Sequence, residues 1–266
     1  MRYLNTGKNK IIGLISSVPA EGGLFIKKLR RTDKNTGDYP EIYIGNLSGK
    51  EVVYSVSGIG KTNASHAATL LIRDYSPAII INFGVGGAYP SAGLKVGDIA
   101  VATKEIYADE GVLVKEGFSN MQVTGIPIFK RGNEKYFNEF PLDKAFFKKA
   151  VKSFGSSHPP IPPLVRGGEG GVKFKSGAFV TVSACTGTIK RALELEKRFK
   201  AICENMEGAS IAHLCCLYKI PCIEIRGISN IVEDRDTEKW NIRLAAENCQ
   251  KALINLLATV KLWDSN

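Results

Sequence analysis

Asn82-Phe83-Gly84-Val85-Gly86-Gly87-Ala88, continuing through YPSAGLKVGDIAVAT to Thr103, is the stretch on which the fold turns. It comes off the apolar run Ala78–Asn82, and a second such run, Ile99–Thr103, follows one turn later. Short β-branched runs bounded by glycine and proline read as buried strands. The glycines between them let a main chain approach a ligand closely and present its N–H groups, as a sugar or anion site requires. By itself such a segment is a weak sign of a site.

Working outward, similar runs recur at Ile11–Ile15, Val52–Val56, Phe179–Ser183 and Cys222–Ile228. Helical periodicity separates them at Thr62–Asp74, Lys144–Phe154, Gly187–Arg198, Met206–Tyr218 and Thr237–Leu262, the last after the acidic turn Glu233–Asp236. Strands that are apolar throughout need cover on both faces, and alternating helices supply it. The expectation is a single α/β domain over residues 1–266, a central mixed β-sheet flanked by helices on both faces in three layers. Residues 155–171, GSSHPPIPPLVRGGEGG, break the pattern. Their prolines remove amide donors and their glycines favour backbone freedom, so a flexible surface loop inserted in that domain is expected.

With 44% hydrophobic and 23% charged residues over 266 positions, the chain can bury a substantial core. The run Ile11–Ile15 is too short for a signal segment or a membrane span, so a cytoplasmic location without membrane association is expected. The six cysteines fall in the C-terminal half, with Cys215 and Cys216 adjacent in a helical pattern, and read as reduced core thiols. No cysteine pair has metal-ligand spacing and His66, His158 and His213 are scattered, so neither metal nor cofactor is expected. A formal net charge of +10 raises the question of nucleic acid. The tight cluster Lys27, Lys28, Arg30 and Arg31 is short, however, and the aromatics fall within apolar runs rather than among the basic residues. No nucleic-acid partner is expected.

Ser57-Gly58-Ile59-Gly60-Lys61-Thr62 follows a strand and opens a helix, imitating the end of a phosphate-binding loop. That loop needs a further glycine where this chain has Ser55, which disfavours an ATPase. A strand-to-helix turn beside a ligand is expected instead.

Four blocks, in order, resemble the purine nucleoside phosphorylase and methylthioadenosine/S-adenosylhomocysteine nucleosidase superfamily. They are the N-terminal strand with Glu21, SGIGKTNA at 57–64, FGVGGA…GLKVGDIAVA at 83–102, and ENMEGASIAHLCCLYKIPCIEIRGISN at 204–230. The most specific part is Met206-Glu207-Gly208-Ala209 followed by Ile225-Arg226-Gly227-Ile228-Ser229-Asn230. The strings YPSAGLKVGDIAVATKEIYADEG, TVSACTGT and EIRGISNIVEDRDTEKWNI are similar to the futalosine hydrolase branch, which splits futalosine into hypoxanthine and dehypoxanthinyl futalosine.

Breaking an N-ribosidic bond passes through an oxocarbenium-like sugar, which calls for a carboxylate near the cation, help for the departing base and an oriented water. The resemblance implies that Glu21 holds and deprotonates the water, that Glu207 accepts hydrogen bonds from the ribose hydroxyls, and that Asn230 binds the purine edge around N7 and O6. It places Met206 against the sugar, Phe179, Val180, Thr181 and Val182 along the base, and Val85 and Gly86 beside the nucleophile, and it counts Asn205 and Ser229 among the substrate-binding residues. Arg226 either touches the ligand or braces the strand end. The implied partner is a purine nucleoside, and a homo-oligomer, dimer or larger, is expected. Without the resemblance, Glu21 and Glu207 are better read as helix-start carboxylates, and Asn230 caps the turn into Ile231–Asp236 as an alternative.

Bacterial phosphorylases of this superfamily hold phosphate with arginines from the first glycine loop and a serine in the second glycine segment. Here SSVPAEGG and Val85 stand in those places, so hydrolysis is expected unless a neighbouring subunit supplies Arg30 or Arg31. Another purine nucleosidase or phosphorylase is the alternative, and a non-catalytic nucleic-acid-binding module a remote one.

Overall fold

The computed structural model of the chain describes residues 10–35, 40–155 and 171–261. Its first half contains β1 (Ile12–Ser16), α1 (Pro19–Lys28), β2 (Arg30–Asn35), β3 (Glu41–Leu47), β4 (Lys50–Val56), α2 (Lys61–Tyr75), β5 (Ile79–Ala88) and β6 (Ile99–Tyr107). Two small hairpins follow, β7 (Gly111–Val114) with β8 (Gly117–Asn120) and β9 (Phe129–Arg131) with β10 (Glu134–Tyr136), then β11 (Glu139–Pro141) and α3 (Lys144–Gly155). The remainder is β12 (Phe174–Thr181), α4 (Ile189–Phe199), β13 (Ala201–Asn205), α5 (Gly208–Tyr218), β14 (Cys222–Ile231) and α6 (Ile242–Thr259).

Period-two alternation explains the layers. Ile12 and Leu14 of β1, Val52 and Tyr54 of β4, and Ile79, Ile81 and Phe83 of β5 pack with Phe25 of α1, Phe154 of α3 and Leu253 and Leu256 of α6. The residues between them, Ile15, Val53 and Ile80, face the other way, onto Ala64, Ala68 and Leu71 of α2 and Ile211 and Ala212 of α5. The central strands are therefore buried on both faces, and the expected three-layer α/β/α arrangement is observed.

The sheet runs β11-β6-β12-β13-β5-β1-β4-β3-β2, with β14 paired to both β5 and β6. Because β5 also pairs with β13, and β13 with β12 beside β6, the strands β14, β5, β13, β12 and β6 close into a ring. The sheet is mixed: β1, β4, β5 and β14 are parallel neighbours, while β13 meets β5, and β14 meets β6, in antiparallel fashion.

Several boundaries differ from expectation. The glycine segment up to Ala88 is strand rather than turn, since Gly84 to Ala88 pair along β14. Residues 19–28, with a proline and two glycines, form a helix whose proline stands where no intrahelical N–H is needed. The last helix does not start at Thr237: a 3₁₀ turn covers Thr237–Lys239, and α6 begins after Asn241, whose side chain caps it by accepting from the Leu244 amide at 3.0 Å. The loop expected at 155–171 falls almost wholly outside the described residues, as does His158. The six cysteines are free, but Cys185 is exposed rather than in the core.

Candidate active site

The candidate residues gather at the carboxyl ends of parallel strands β1, β5 and β14, where open α/β sheets place their ligands. Glu21 sits in the first turn of α1. One carboxylate oxygen accepts from the Ser17 amide (2.8 Å), the Ser17 hydroxyl (2.7 Å) and the Val18 amide (3.2 Å). The other accepts from the Val85 amide at 2.7 Å. Glu21 therefore serves its helix start with one oxygen and reaches β5 with the second.

Glu207 stands at the N-cap of α5 yet does not cap it. Asn205 does, its Oδ1 accepting from the amides of Glu207 (2.9 Å) and Gly208 (2.6 Å). The Glu207 carboxylate instead accepts from the Gly60 amide at 2.9 Å, in the turn before α2 that the glycine reading placed near a ligand. Burial pushes its pKa up, against the opposing pull of Arg226 and the Gly60 N–H.

Between the two carboxylates lies Arg226, 1% exposed. Its Nε donates to Glu224 at 2.8 Å, its Nη1 donates to the Val85 carbonyl at 3.3 Å and lies 3.7 Å from Glu207. Burial works against its charge, but Glu224, Glu207 and Glu21 together outweigh burial and raise its pKa. The packing is close enough that a side chain at position 84 would press on both Glu21 and Arg226 and force them to shift.

Asn230 lies at the other end of the Val85–Gly87 segment. The Ser229 hydroxyl reaches its Oδ1 at 2.7 Å and the Gly86 carbonyl at 3.2 Å, and its Nδ2 donates to the Ile231 carbonyl at 3.1 Å. Flipping the amide would set two carbonyl oxygens against each other, so the network identifies the NH₂. One hydrogen of that group has no acceptor among the described residues.

The remaining candidates divide. Thr181 and Asn205 are buried supports: the Thr181 hydroxyl donates to Glu105 at 2.8 Å and accepts from the Ala209 amide at 2.7 Å. The side chains of Phe179, Val180 and Val182 sit in core clusters, Val180 and Val182 alongside Ala192 and Leu195 of α4. Met206 is half-buried, its sulfur 3.3 Å from that of Cys185.

Sequence reading passed over three buried glutamates. Glu204 accepts from Tyr89 (2.9 Å) and from the amide (2.9 Å) and hydroxyl (2.6 Å) of Thr186. Glu105 and Glu224 stand behind Arg226. The available signal was a glutamate set inside an otherwise apolar strand run, Cys222-Ile223-Glu224-Ile225. Among the described residues no group of three or more His, Cys, Asp or Glu could hold a metal ion, and no helix is long and apolar enough to cross a membrane.

A single guanidinium amid carboxylates, with a neutral amide beyond, suits a substrate that develops positive charge at one end and carries a polar heterocycle at the other. The pattern of the phosphorylase superfamily matches residues 11–260. The chain is 31% identical over 212 residues to a futalosine hydrolase of Thermus thermophilus, covering 80% of this chain and 84% of the relative. It is 32% identical over 220 residues to a 5'-methylthioadenosine/S-adenosylhomocysteine nucleosidase of Halalkalibacterium halodurans, covering 83% and 85%. In fold it is similar to the crystal structure of the corresponding nucleosidase of Neisseria meningitidis in complex with methylthio-immucillin-A, with a TM-score of 0.78 at 22% identity over 94% of this chain and 100% of that one.

Proposed function

The chain belongs to the phosphorylase superfamily, and we propose that it hydrolyses the N-ribosidic bond of futalosine, releasing hypoxanthine and dehypoxanthinyl futalosine in menaquinone biosynthesis. It is an N-glycosyl hydrolase in this reading. Glu21 accepts a proton from the attacking water, Glu207 accepts hydrogen bonds from the ribose hydroxyls, and their charges stabilise the oxocarbenium-like sugar.

The observation that carries the substrate class is the Asn230 amide. Its oxygen is engaged by Ser229 and its NH₂ keeps a hydrogen for an incoming acceptor. N7 and O6 of a 6-oxopurine are both acceptors and suit that hydrogen, whereas the exocyclic amine of adenine is a donor and has to share the amide oxygen with the Ser229 hydroxyl. Hydrolysis rather than phosphorolysis follows from charge: Arg226 already faces Glu224, Glu207 and Glu21, and a phosphate dianion would meet repulsion from Glu21 and Glu207. A homo-oligomeric state and a cytoplasmic location belong to the same proposal.

The second reading, cleavage of methylthioadenosine or S-adenosylhomocysteine, is favoured by the 32% identical nucleosidase relative. A product assay separates the two. The protein is incubated with futalosine, inosine and methylthioadenosine, with and without phosphate, and the released base and sugar are identified. Free hypoxanthine and free sugar from futalosine in phosphate-free buffer are expected. Strict phosphate dependence removes the hydrolase assignment, and faster turnover of methylthioadenosine removes futalosine.

A further inference from the structure

Lys61 and Asp109 have no part in the reaction as described so far, yet they tie together two segments that meet around Glu207. The Asp109 carboxylate accepts from the Lys61 ammonium through Oδ1 (2.5 Å) and from the Ser183 amide through Oδ2 (2.5 Å). Lys61 also reaches Glu110 at 3.2 Å. It opens α2 immediately after Gly60, whose N–H holds Glu207. Ser183 lies just past β12, two residues before Cys185, whose sulfur touches that of Met206. Asp109 itself stands on a fixed turn. The Asn138 side chain donates to the carbonyls of Tyr107 (2.9 Å) and Glu110 (2.7 Å) on either side of it, and the Ala108 amide donates to the Thr181 carbonyl at 3.0 Å. The loop before α2 needs such an anchor, because Gly58 and Gly60 sit at φ of 90° and 93° and glycine leaves the chain its greatest freedom. On its other flank the same loop donates from Ser57 and Gly58 to the carbonyls of Ser16 and Ser17, and Ser17 in turn holds Glu21. Burial works against the charge of Asp109, but Lys61 and the Ser183 amide outweigh it and keep its pKa below the ordinary value.

We propose that Asp109 is a positioning residue for the ribose carboxylate: by drawing Lys61 and Ser183 to one fixed point it sets the Gly60 N–H, and so holds Glu207 where it accepts from the ribose hydroxyls. The inference rests on the hydrolytic site proposed above. The pair is partly exposed, with 17% of the Lys61 side chain and 26% of the Asp109 side chain open to solvent, and pairs of that kind add little to stability. Its loss should therefore move Glu207 without unfolding the chain.

The sugar hydroxyls report on Glu207 and separate positioning from mere packing. Asp109→Asn keeps one carbonyl oxygen for the Ser183 amide, whereas Asp109→Ala removes both acceptors. A general loosening lowers kcat/KM alike for futalosine and for its 2′-deoxy analogue, which offers Glu207 one hydroxyl fewer. Displacement of Glu207 instead shrinks the preference for futalosine, by about threefold to tenfold in Asp109→Ala and by less in Asp109→Asn, in line with one hydrogen bond. A crystal structure of Asp109→Ala should show the Gly60 N–H drawn away from Glu207. A preference equal to that of wild type, or a Gly60–Glu207 contact still at 2.9 Å in the alanine variant, overturns the proposal. If Asp109→Ala does not fold, Lys61→Met takes its place in both measurements, with the same outcomes expected and the same outcomes fatal. A wild-type protein that cleaves no purine nucleoside would instead sink the functional reading, while the crystallographic comparison would still test the positioning.

Discussion

Along β14, the segment from Glu224 to Arg226 and the segment from Ser229 to Asn230 meet opposite conditions. The first is charged and buried, with Glu21, Glu207 and Glu224 around one guanidinium. The second is neutral, and Asn230 is half-buried, with its amide oriented by a hydroxyl and a carbonyl. Charges that must face a developing cation are effective only where water cannot reorganise around them, so burial and many partners suit the ribose end. Base discrimination needs one correctly turned donor, and an amide held by two bonds supplies it. The ribose end should therefore govern rate and the base end choice of substrate.

The largest expected effect breaks the ribose end. Glu21→Gln or Glu207→Gln removes a full negative charge from a cationic transition state, and kcat should fall by roughly a hundredfold or more. Steady-state kinetics on variants with unchanged circular dichroism test this. Near-normal turnover in both would place the chemistry elsewhere.

A smaller effect is expected at the base end. Asn230→Asp supplies a carboxylate able to accept from an exocyclic amine, so the ratio of kcat/KM for futalosine over its 6-amino analogue should drop by about tenfold to a hundredfold. If wild type uses both substrates equally, or the variant leaves the ratio unchanged, Asn230 does not read the base. Ser229→Ala sharpens the same point: without the hydroxyl the Asn230 amide loses its orienting contact, and the same ratio should fall by only about threefold to tenfold, in line with one neutral hydrogen bond. A ratio that stays put would show that the Ile231 carbonyl alone orients the amide.

The smallest effect concerns stability. Burial raises the pKa of both Glu105 and Glu207, so the native state binds more protons than the unfolded chain. The contribution of each is fully present below the unfolded carboxylate pKa and is lost as pH rises through the raised native value. Urea midpoints should decline across that window, and Glu105→Gln should flatten the decline. An equally steep decline in the variant would mean that Glu105 is ionised in the native protein.

The strands β1, β4, β5, β6, β12 and β14 were legible because each is built around an apolar run, and the helices α2 to α5 because their period is regular. Strand β13 was not: Ala201-Ile202-Cys203-Glu204-Asn205 is short and ends in polar residues. Its identity as a strand depends on neighbours β12 and β5, which local propensity does not encode. Of helix α1 only a start at Glu21 was legible, since Pro19, Gly22 and Gly23 favour a loop until Phe25 finds Tyr54 and Phe83. Of the site, the resemblance singled out Glu21, Glu207, Arg226 and Asn230, whereas Glu105 and Glu224 went unnoticed.

What the chain determines by itself is where carboxylates, amides and glycines stand relative to strand ends and helix starts, because those relations are local and periodic. Only the tertiary structure decides which oxygen faces which donor. Glu21 divides its oxygens between its own helix and Val85, Glu207 leaves the cap to Asn205 and bonds Gly60, and Glu105 takes the Thr181 hydroxyl and the Asn205 amide from neighbouring strands. The contacts of Glu21 with Val85, of Glu207 with Gly60 and of Glu105 with Thr181 and Asn205 join segments far apart in the chain. A buried polar group is stable or costly according to the partners that long-range packing brings to it, not according to its sequence neighbours.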